Sequence, residues 1–344
     1  MDAHVEGDLV RLGPDGRERF YDSRGYGRPD DGGLALSLVE AAHLLYRGDL
    51  DAVDGRGFRE FFEGEGIASR FIVYKDLRDR GFYLSPAREG WVDDPEGCDF
   101  VVYPRGDGPW DDAVEYRVRV VAERESVPAD ALGDLVLAVV DEESELTYLE
   151  TSRPSFEGGS RHDAGPRTDA ALLDDRVVVW EPPDGLYERG FYGQPLDEDR
   201  TAVQLSLVEG AYLAERDALS FDAGRESVLD RGREAEGERF DRRLTVYAAL
   251  RASGVVPKTG FKFGADFRTY SDVSSVSDLG HSERLVRVLP TDHTFAPRDL
   301  SLDVRLAHGV RKEMVFAFTD GTEHGPDVDP DADVRWLAVQ RLTP

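Results

Sequence analysis

CDFVVY, residues 98–103, returns as ADFRTY, residues 265–270, and this recurrence decides how the chain is built. It is not isolated. Upstream, VYKDLRDRG at 73–81 returns as VYAALRASG at 246–254, SLVEAA at 37–42 as SLVEGA at 206–211, and YDSRGYGRP at 21–29 as YERGFYGQP at 187–195. The order is kept and the offset stays between 166 and 173 residues, which reads as a tandem duplication.

Each copy divides into two modules. The first opens with short Gly- and Tyr-rich strands followed by a helix, on which Leu38, Ala42 and Tyr46 fall on one face at helical spacing. The second begins with a helix whose inward face is Tyr74 and Leu77, or Tyr247 and Leu250, closed by Gly81 or Gly254. Strands follow. Val114, Tyr116, Val118 and Val120 alternate, residues 135–140 form a continuous apolar strand, and 284–289, 314–318 and 334–339 repeat the pattern in the second copy. The expected fold is α/β and α+β. Its N-module spans 1–66 and its C-module 67–151, with a linker at 152–176, then a second N-module at 177–236 and a second C-module at 237–344. The linker reading rests on Gly, Ser, Pro and Asp without periodicity.

Composition narrows the function. Asp and Glu number 70 against 42 Lys and Arg, a net charge of −28, which argues against general nucleic-acid affinity. Only four of the basic residues are Lys. Such a surface fits molar salt, where screening lengths shrink to about 3 Å and self-repulsion is harmless. The single Cys98 excludes an intrachain disulfide and a multi-Cys zinc site. No apolar run reaches membrane-spanning length and the first residues carry no export signal, so the protein is expected to be soluble and cytoplasmic, without a membrane partner.

Against this acidic background, residues 257–312 carry nine Lys and Arg against seven Asp and Glu. Three of the four lysines (Lys258, Lys262 and Lys312) lie there, and a scarce lysine suggests a point charge that Arg cannot copy. Comparing the copies sharpens this. Tyr103 matches Tyr270, but His281 falls opposite Ala113, and Lys312 opposite a stretch around Gly133 and Asp134 that has no base. Packing residues should survive in both copies, whereas catalytic ones can vanish from a copy that only scaffolds.

GFKFGADFRTY at 260–270, then GHSERLVRV at 280–288, then HGVRK at 308–312 before an apolar strand, resembles the archaeal tRNA-splicing endonucleases. The double-copy length resembles their homodimeric members. The resemblance implies C-modules of restriction-endonuclease-like fold, the first degenerate and the second catalytic, with the triad at Tyr270, His281 and Lys312. It implies RNA-clamping arginines at Arg305 and Arg335, and an acidic loop at Asp141, Glu142 and Glu143 that docks into a basic pocket of the partner subunit. Precursor tRNA with bulge-helix-bulge junctions would be the substrate and a second copy the partner. No cofactor and no metal are implied.

The residue types suit that reaction on their own terms. Metal-free RNA cleavage uses the ribose 2′-OH as nucleophile and leaves a 2′,3′-cyclic phosphate and a 5′-OH. Imidazoles ordinarily titrate near pH 6.5 (about) and serve as acids near neutrality. An ammonium suits the non-bridging oxygens. Phenols, at about 10, are poor bases unless cations adjoin them, so Tyr270 reads equally as base or as orienter of the 2′-OH. Singly, each residue has a bland reading: a core tyrosine, a turn histidine, a solvated lysine, and for the acidic run a solvated turn. His308 reads as a helix-end cation. Two other functions stay open, a metal-dependent nuclease using Glu283 and a catalytically silent RNA-binding subunit.

Overall fold

The computed structural model describes residues 2–30, 32–111, 113–160 and 164–344. In each N-module a small antiparallel sheet feeds a helix through the S-L-V-E motif. Ser37 caps helix Leu38–Arg47 by accepting from the Glu40 N–H, while the Glu40 carboxylate accepts from the Ser37 N–H. Ser206 and Glu209 repeat this capping box at helix Leu207–Glu215. The repeated Tyr-Gly-x-Pro has its reason here. Gly27 and Gly193 have φ of +68° and +63°, and a Cβ on either would stand 2.2 Å from a carbonyl oxygen of the adjoining strand. Each donates its N–H to the buried capping glutamate, Gly27 to Glu40 at 2.7 Å and Gly193 to Glu209 at 2.9 Å.

The C-modules share one ten-stranded sheet. From one edge its strands are Val256–Thr259, Phe267–Tyr270, Arg284–Leu289, Glu313–Phe318, Arg335–Leu342, Leu146–Ser152, Leu135–Val140, Tyr116–Ala122, Phe100–Val102 and Leu84–Pro86. The halves mirror each other, and each has one parallel pair among antiparallel neighbours. The register identifies equivalents. Phe100 faces Val118 as Phe267 faces Val286, and these face Val136 and Val315 in turn. Carried outward, this makes Thr151 equivalent to Val339, and those two pair with each other across the central seam. A local twofold axis therefore passes between them.

Strand alternation gives the sheet two faces. On one, helices Ala68–Asp79 and Glu238–Ala252 press Tyr74, Leu77, Tyr247 and Leu250 into two cores, one per half, each shared with its N-module. On the other, helix Pro297–Gly309 covers a single core that crosses the seam, including Leu137, Val139 and Leu149 with Met314, Phe316 and Leu337.

Several expectations shift. Tyr46 is half exposed, its ring lying on Phe58 and Phe71, because helix Leu38–Arg47 is buried along Ala41, Ala42, Leu44 and Leu45 instead. Val114 precedes its strand and is exposed. The segment 152–176 carries strand Thr168–Leu172, paired with Arg176–Trp180 and Leu219–Ser220, so the second small sheet begins inside it. Its glycines serve close packing: a Cβ on Gly158 would meet the Gly254 oxygen at 2.2 Å, and Gly158 and Gly159 donate to Ser253 and Ser271.

Lys258 is structural. Its ammonium is buried against Glu209 at 2.8 Å and also donates to the carbonyls of Phe191 and Gly193. This pair ties the second N-module to the edge of the sheet. Burial drives the Glu209 carboxyl upward, but Lys258 and the N–H groups of Ser206 and Gly193 outweigh it and hold the group at about 2. Ser85 stands at the equivalent position of the first copy, and there burial leaves Glu40 above its ordinary value. Lys258→Met is expected to destabilise the protein by about 3–5 kcal/mol in thermal or guanidinium unfolding, since a buried charge loses its partner. Because the folded-state value lies below the unfolded one, the wild-type contribution is complete above pH 4.5 and fades toward pH 2; the loss is about 3 kcal/mol, and Lys258→Met should abolish it. A variant as stable as wild type would show the pair to be dispensable.

Candidate active site

Three strand ends meet at one rim of the second half-sheet. The ladder pairs Thr269 with Arg284 and Arg284 with Glu313. One step outward lie Tyr270, Glu283 and Lys312, so these form a row at one level. Alternation puts them on the face opposite Arg284 and Glu313, where Leu285 and Met314 meet the core under helix Pro297–Gly309. With strands about 4.8 Å apart, the row spans about 10 Å, within the reach of a phosphate and the long side chains around it.

Tyr270 is 5% exposed. Its ring packs with Val256, Val273 and Phe191, the last at 5.6 Å and contributed by the second N-module. Among the described residues its hydroxyl has no hydrogen-bond partner, whereas the hydroxyl of Tyr103 donates to Ser85 at 2.9 Å and accepts from Arg28. The two tyrosines thus occupy equivalent positions with different duties. Tyr103 is satisfied inside the protein; Tyr270 is not.

His281 is exposed in the loop 271–283, and among the described residues its ring makes no hydrogen bond. The loop is pinned to the second N-module by Glu188, whose carboxylate takes bonds from the hydroxyls of Ser275 and Ser277, and whose carbonyl takes the Val276 N–H at 2.7 Å. Those serine bonds, with one from Arg200, hold the Glu188 carboxyl at about 2. Lys312 donates to the carbonyl of Ser282, the residue after His281, and its ammonium lies 5.7 Å from the Phe263 ring. Burial, and then the charge of Arg268, lower its pKa against the opposing pull of Glu283.

The row and the His281 loop thus share one rim. The remaining expected residues lie elsewhere. Arg305 is exposed on helix Pro297–Gly309. Arg335 is paired in register with Phe318, at the far end of the strand that Lys312 begins; it donates to the Ala129 carbonyl at 2.9 Å and lies 4.1 Å over the Phe318 ring. The two arginines are not brought together within this chain. Asp141 folds its own turn by accepting from the N–H groups of Glu143 and Glu145. Glu142 and Glu143 are exposed, with Glu142 2.7 Å from Arg124. Of the carboxylates near the rim, Glu313 is on the opposite face and paired with Arg284 at 2.6 Å, and Glu283 accepts from Ser271. Among the described residues no cluster of three metal-ligating side chains occurs.

Sequence comparison overlooked Arg268. It lies two residues before Tyr270 on the same face, its guanidinium 5.7 Å over that ring, with a buried Nε that has no hydrogen-bond partner. The signal was present: CDFVVY has Val101 where ADFRTY has Arg268, so this cation, too, belongs to the second copy alone.

A hydroxyl, an imidazole and two cations at one rim of an acidic protein suit a phosphodiester. The catalytic C-terminal domain of tRNA intron endonucleases matches residues 240–327 in sequence, and the N-terminal domain of the same enzymes matches 1–62 and again 168–231. The chain belongs to the tRNA intron endonuclease family and is an endoribonuclease; excision of introns from precursor tRNA is the function of that family. The tRNA-splicing endonucleases of Natronomonas pharaonis and Haloarcula marismortui are each 62% identical to it over 345 residues, covering 100% of both chains. That of Methanosarcina mazei is 40% identical over 355 residues, covering 94% of this chain and 96% of its own. The second N-terminal match begins at 168, where strand Thr168–Leu172 starts.

Arg268→Met should lower single-turnover cleavage of an intron-containing precursor by about 10²–10³-fold, the usual effect of losing one preorganised charge donor. Arg268→Lys should recover part of the rate. A variant that loses RNA affinity but keeps its rate at saturation would make Arg268 a binding group only.

Proposed function

We propose that this rim cleaves RNA without a metal ion, by attack of the ribose 2′-oxygen on the adjacent phosphorus. The observation that carries this reading is the shared level and face of Tyr270 and Lys312, with the His281 loop tied to Lys312 through Ser282. The bond from the 2′-oxygen to phosphorus forms as the bond from phosphorus to the 5′-oxygen breaks, giving a 2′,3′-cyclic phosphate and a 5′-OH. Tyr270 meets the 2′-OH, whose proton passes to the Tyr270 oxygen where it acts as base, or to water where Tyr270 only orients the hydroxyl. His281, on its exposed loop, gives a proton to the leaving 5′-oxygen. Lys312 and Arg268 face the non-bridging oxygens, where negative charge grows in the transition state. Arg305 and Arg335 each contact an unstacked bulge base; Arg335 presents one guanidinium face to Phe318 and keeps the other for its base.

The sheet seam joins two C-modules, only one of which carries the cations, so one chain supplies one site. Excising an intron takes two cuts. A homodimer of double-copy chains, acting on the two bulges of a bulge-helix-bulge junction, supplies them. The turn holding Asp141, Glu142 and Glu143 docks this dimer against a basic pocket of the partner, with Asp141 shaping the turn and Glu142 and Glu143 facing outward. A substrate made and spliced inside the cell places the enzyme in the cytoplasm.

Incubation with a bulge-helix-bulge RNA in EDTA should give cyclic-phosphate and 5′-OH ends. Cutting that requires a divalent ion would favour a metal-dependent nuclease instead, and binding without cutting a silent subunit. Lys312→Ala and His281→Ala should each lower the rate by about 10²-fold or more, with much smaller changes in RNA affinity; equal losses in both would reduce them to binding groups.

Replacing Glu142 and Glu143 by Lys should convert the dimer to monomer in sedimentation velocity. An unchanged dimer would remove this turn from the interface.

A further inference from the structure

His281 sits in a loop, 271–283, whose one regular element is the single turn Val276–Asp278. Such a segment does little to fix a side chain by itself, yet an acid must reach the oxygen it protonates within hydrogen-bond distance. The fixing comes from outside the loop. Val276 and Leu279 pack on the cluster of Phe191, Val256, Tyr270 and Val273, and Lys312 donates to the Ser282 carbonyl. His281 therefore lies between one anchored residue two places before it and another directly after it.

One of these anchors is a charged group from another module. Glu188 of the second N-module accepts from the hydroxyls of Ser275 and Ser277 and from the Ser277 N–H, and its own carbonyl takes the Val276 N–H. Three consecutive loop residues are thus bound to one side chain and its backbone. The same carboxylate receives Arg200, a residue of its own module, at 2.6 Å. With the carboxyl held at about 2 by these bonds, the clasp stays charged through the neutral range.

The first half shows what suffices for a loop without a histidine. Aligned through the Tyr-Gly-x-Pro repeat, Asp22 falls opposite Glu188. Asp22 lies 3.7 Å from Arg17 in its own module, and among the described residues it makes no bond to the loop that follows Tyr103. Rings meet that loop instead, with Tyr21 and Tyr83 packing on Trp110. Apolar contact holds the loop there; the directional clasp accompanies His281.

We propose that Glu188 is a positioning residue for cleavage: by clasping Ser275, Val276 and Ser277 it sets His281 at the leaving 5′-oxygen, so that the second N-module governs this proton transfer. This rests on the reading of His281 as the acid. Displacing a reacting group by about 1 Å costs on the order of 10²-fold in rate, so a loosened clasp should show in the chemical step and not in RNA affinity.

The test compares two leaving groups on the full-length protein. A bulge-helix-bulge RNA with sulfur in place of the bridging 5′-oxygen breaks its P–S bond to release a thiolate, which keeps the electron pair and needs no proton, since thiols ionise at about 8.5. Single-turnover rates are taken at saturating enzyme in EDTA. On the oxygen RNA Glu188→Ala should be slower than wild type by about tenfold or more, and Glu188→Gln, which keeps an acceptor oxygen, should lose less. On the sulfur RNA both should run within about twofold of wild type, as should His281→Ala, while Lys312→Ala stays slow on both RNAs. Anisotropy on a 2′-deoxy RNA should show unchanged affinity for the Glu188 variants. Ser275→Ala combined with Ser277→Ala breaks the clasp from the loop side and should give the same pattern, which keeps the test decisive if Glu188→Ala does not fold. If sulfur restores His281→Ala while the clasp variants stay slow on both RNAs, or match wild type on both, the proposal is overturned and the cleavage reading stands. If sulfur does not restore His281→Ala, the reading of His281 as acid fails first and the proposal falls with it.

Discussion

The antiparallel pairing of Leu146–Ser152 with Arg335–Leu342 is the constraint on which the rest of the structure depends. It makes two five-stranded halves into one sheet, and the core beneath helix Pro297–Gly309 draws on both. Because equivalent residues Thr151 and Val339 face each other, the halves meet in a fixed register. A slip of one residue would turn Leu149, Leu337 and Val339 out of that core. Arg341, set opposite Leu149 by the seam, lies through its other ladder at the level of Lys312, so the strand that joins the halves also borders the candidate site.

A second coupling runs from the N-module to the chemistry. The capping glutamate of helix Leu207–Glu215 does three jobs: it closes the helix start, accepts the Gly193 N–H and neutralises Lys258. The neighbouring residues of the same repeat reach the active rim directly. Phe191 packs on Tyr270, and Glu188 holds the loop that carries His281. The N-module therefore helps to position the tyrosine and the histidine.

Much of this was legible in the sequence, for identifiable reasons. The repeats fixed the two-part plan because packing residues such as Tyr74 and Tyr247 recur with their neighbours, and apolar runs such as Leu135–Val140 are strands from end to end. Other parts depended on partners distant in sequence. Lys258 looked like chemistry because lysine is rare, and only the fold shows it buried on Glu209, 49 residues away. Gly158 looked like linker flexibility, whereas it is small because the Gly254 carbonyl passes beside it. Arg268 went unremarked inside a quoted repeat, since one substitution in a strand says little until strand alternation puts it on the same face as Tyr270 and Lys312.

The contrast between the halves explains why chemistry persists in only one. By register Ser85, Val101 and Gly133 stand where the second half has Lys258, Arg268 and Lys312, and in sequence Ala113 falls opposite His281. Four positions that carry basic side chains in one half are neutral in the other, while the tyrosine remains in both. A tyrosine can be reused, because its ring fills the core and its hydroxyl can be satisfied locally, as Ser85 and Arg28 do for Tyr103. Partly buried cations without a carboxylate partner, as Arg268 and Lys312 are, cannot be reused in this way. Each one left without an anion costs desolvation energy that packing does not return, so a half that no longer meets a phosphate is more stable without them. By the same reasoning, the unpaired Arg268 of the second half is tolerable if, as proposed, a phosphate meets it, and on that reading the site has its lowest electrostatic strain when RNA is bound.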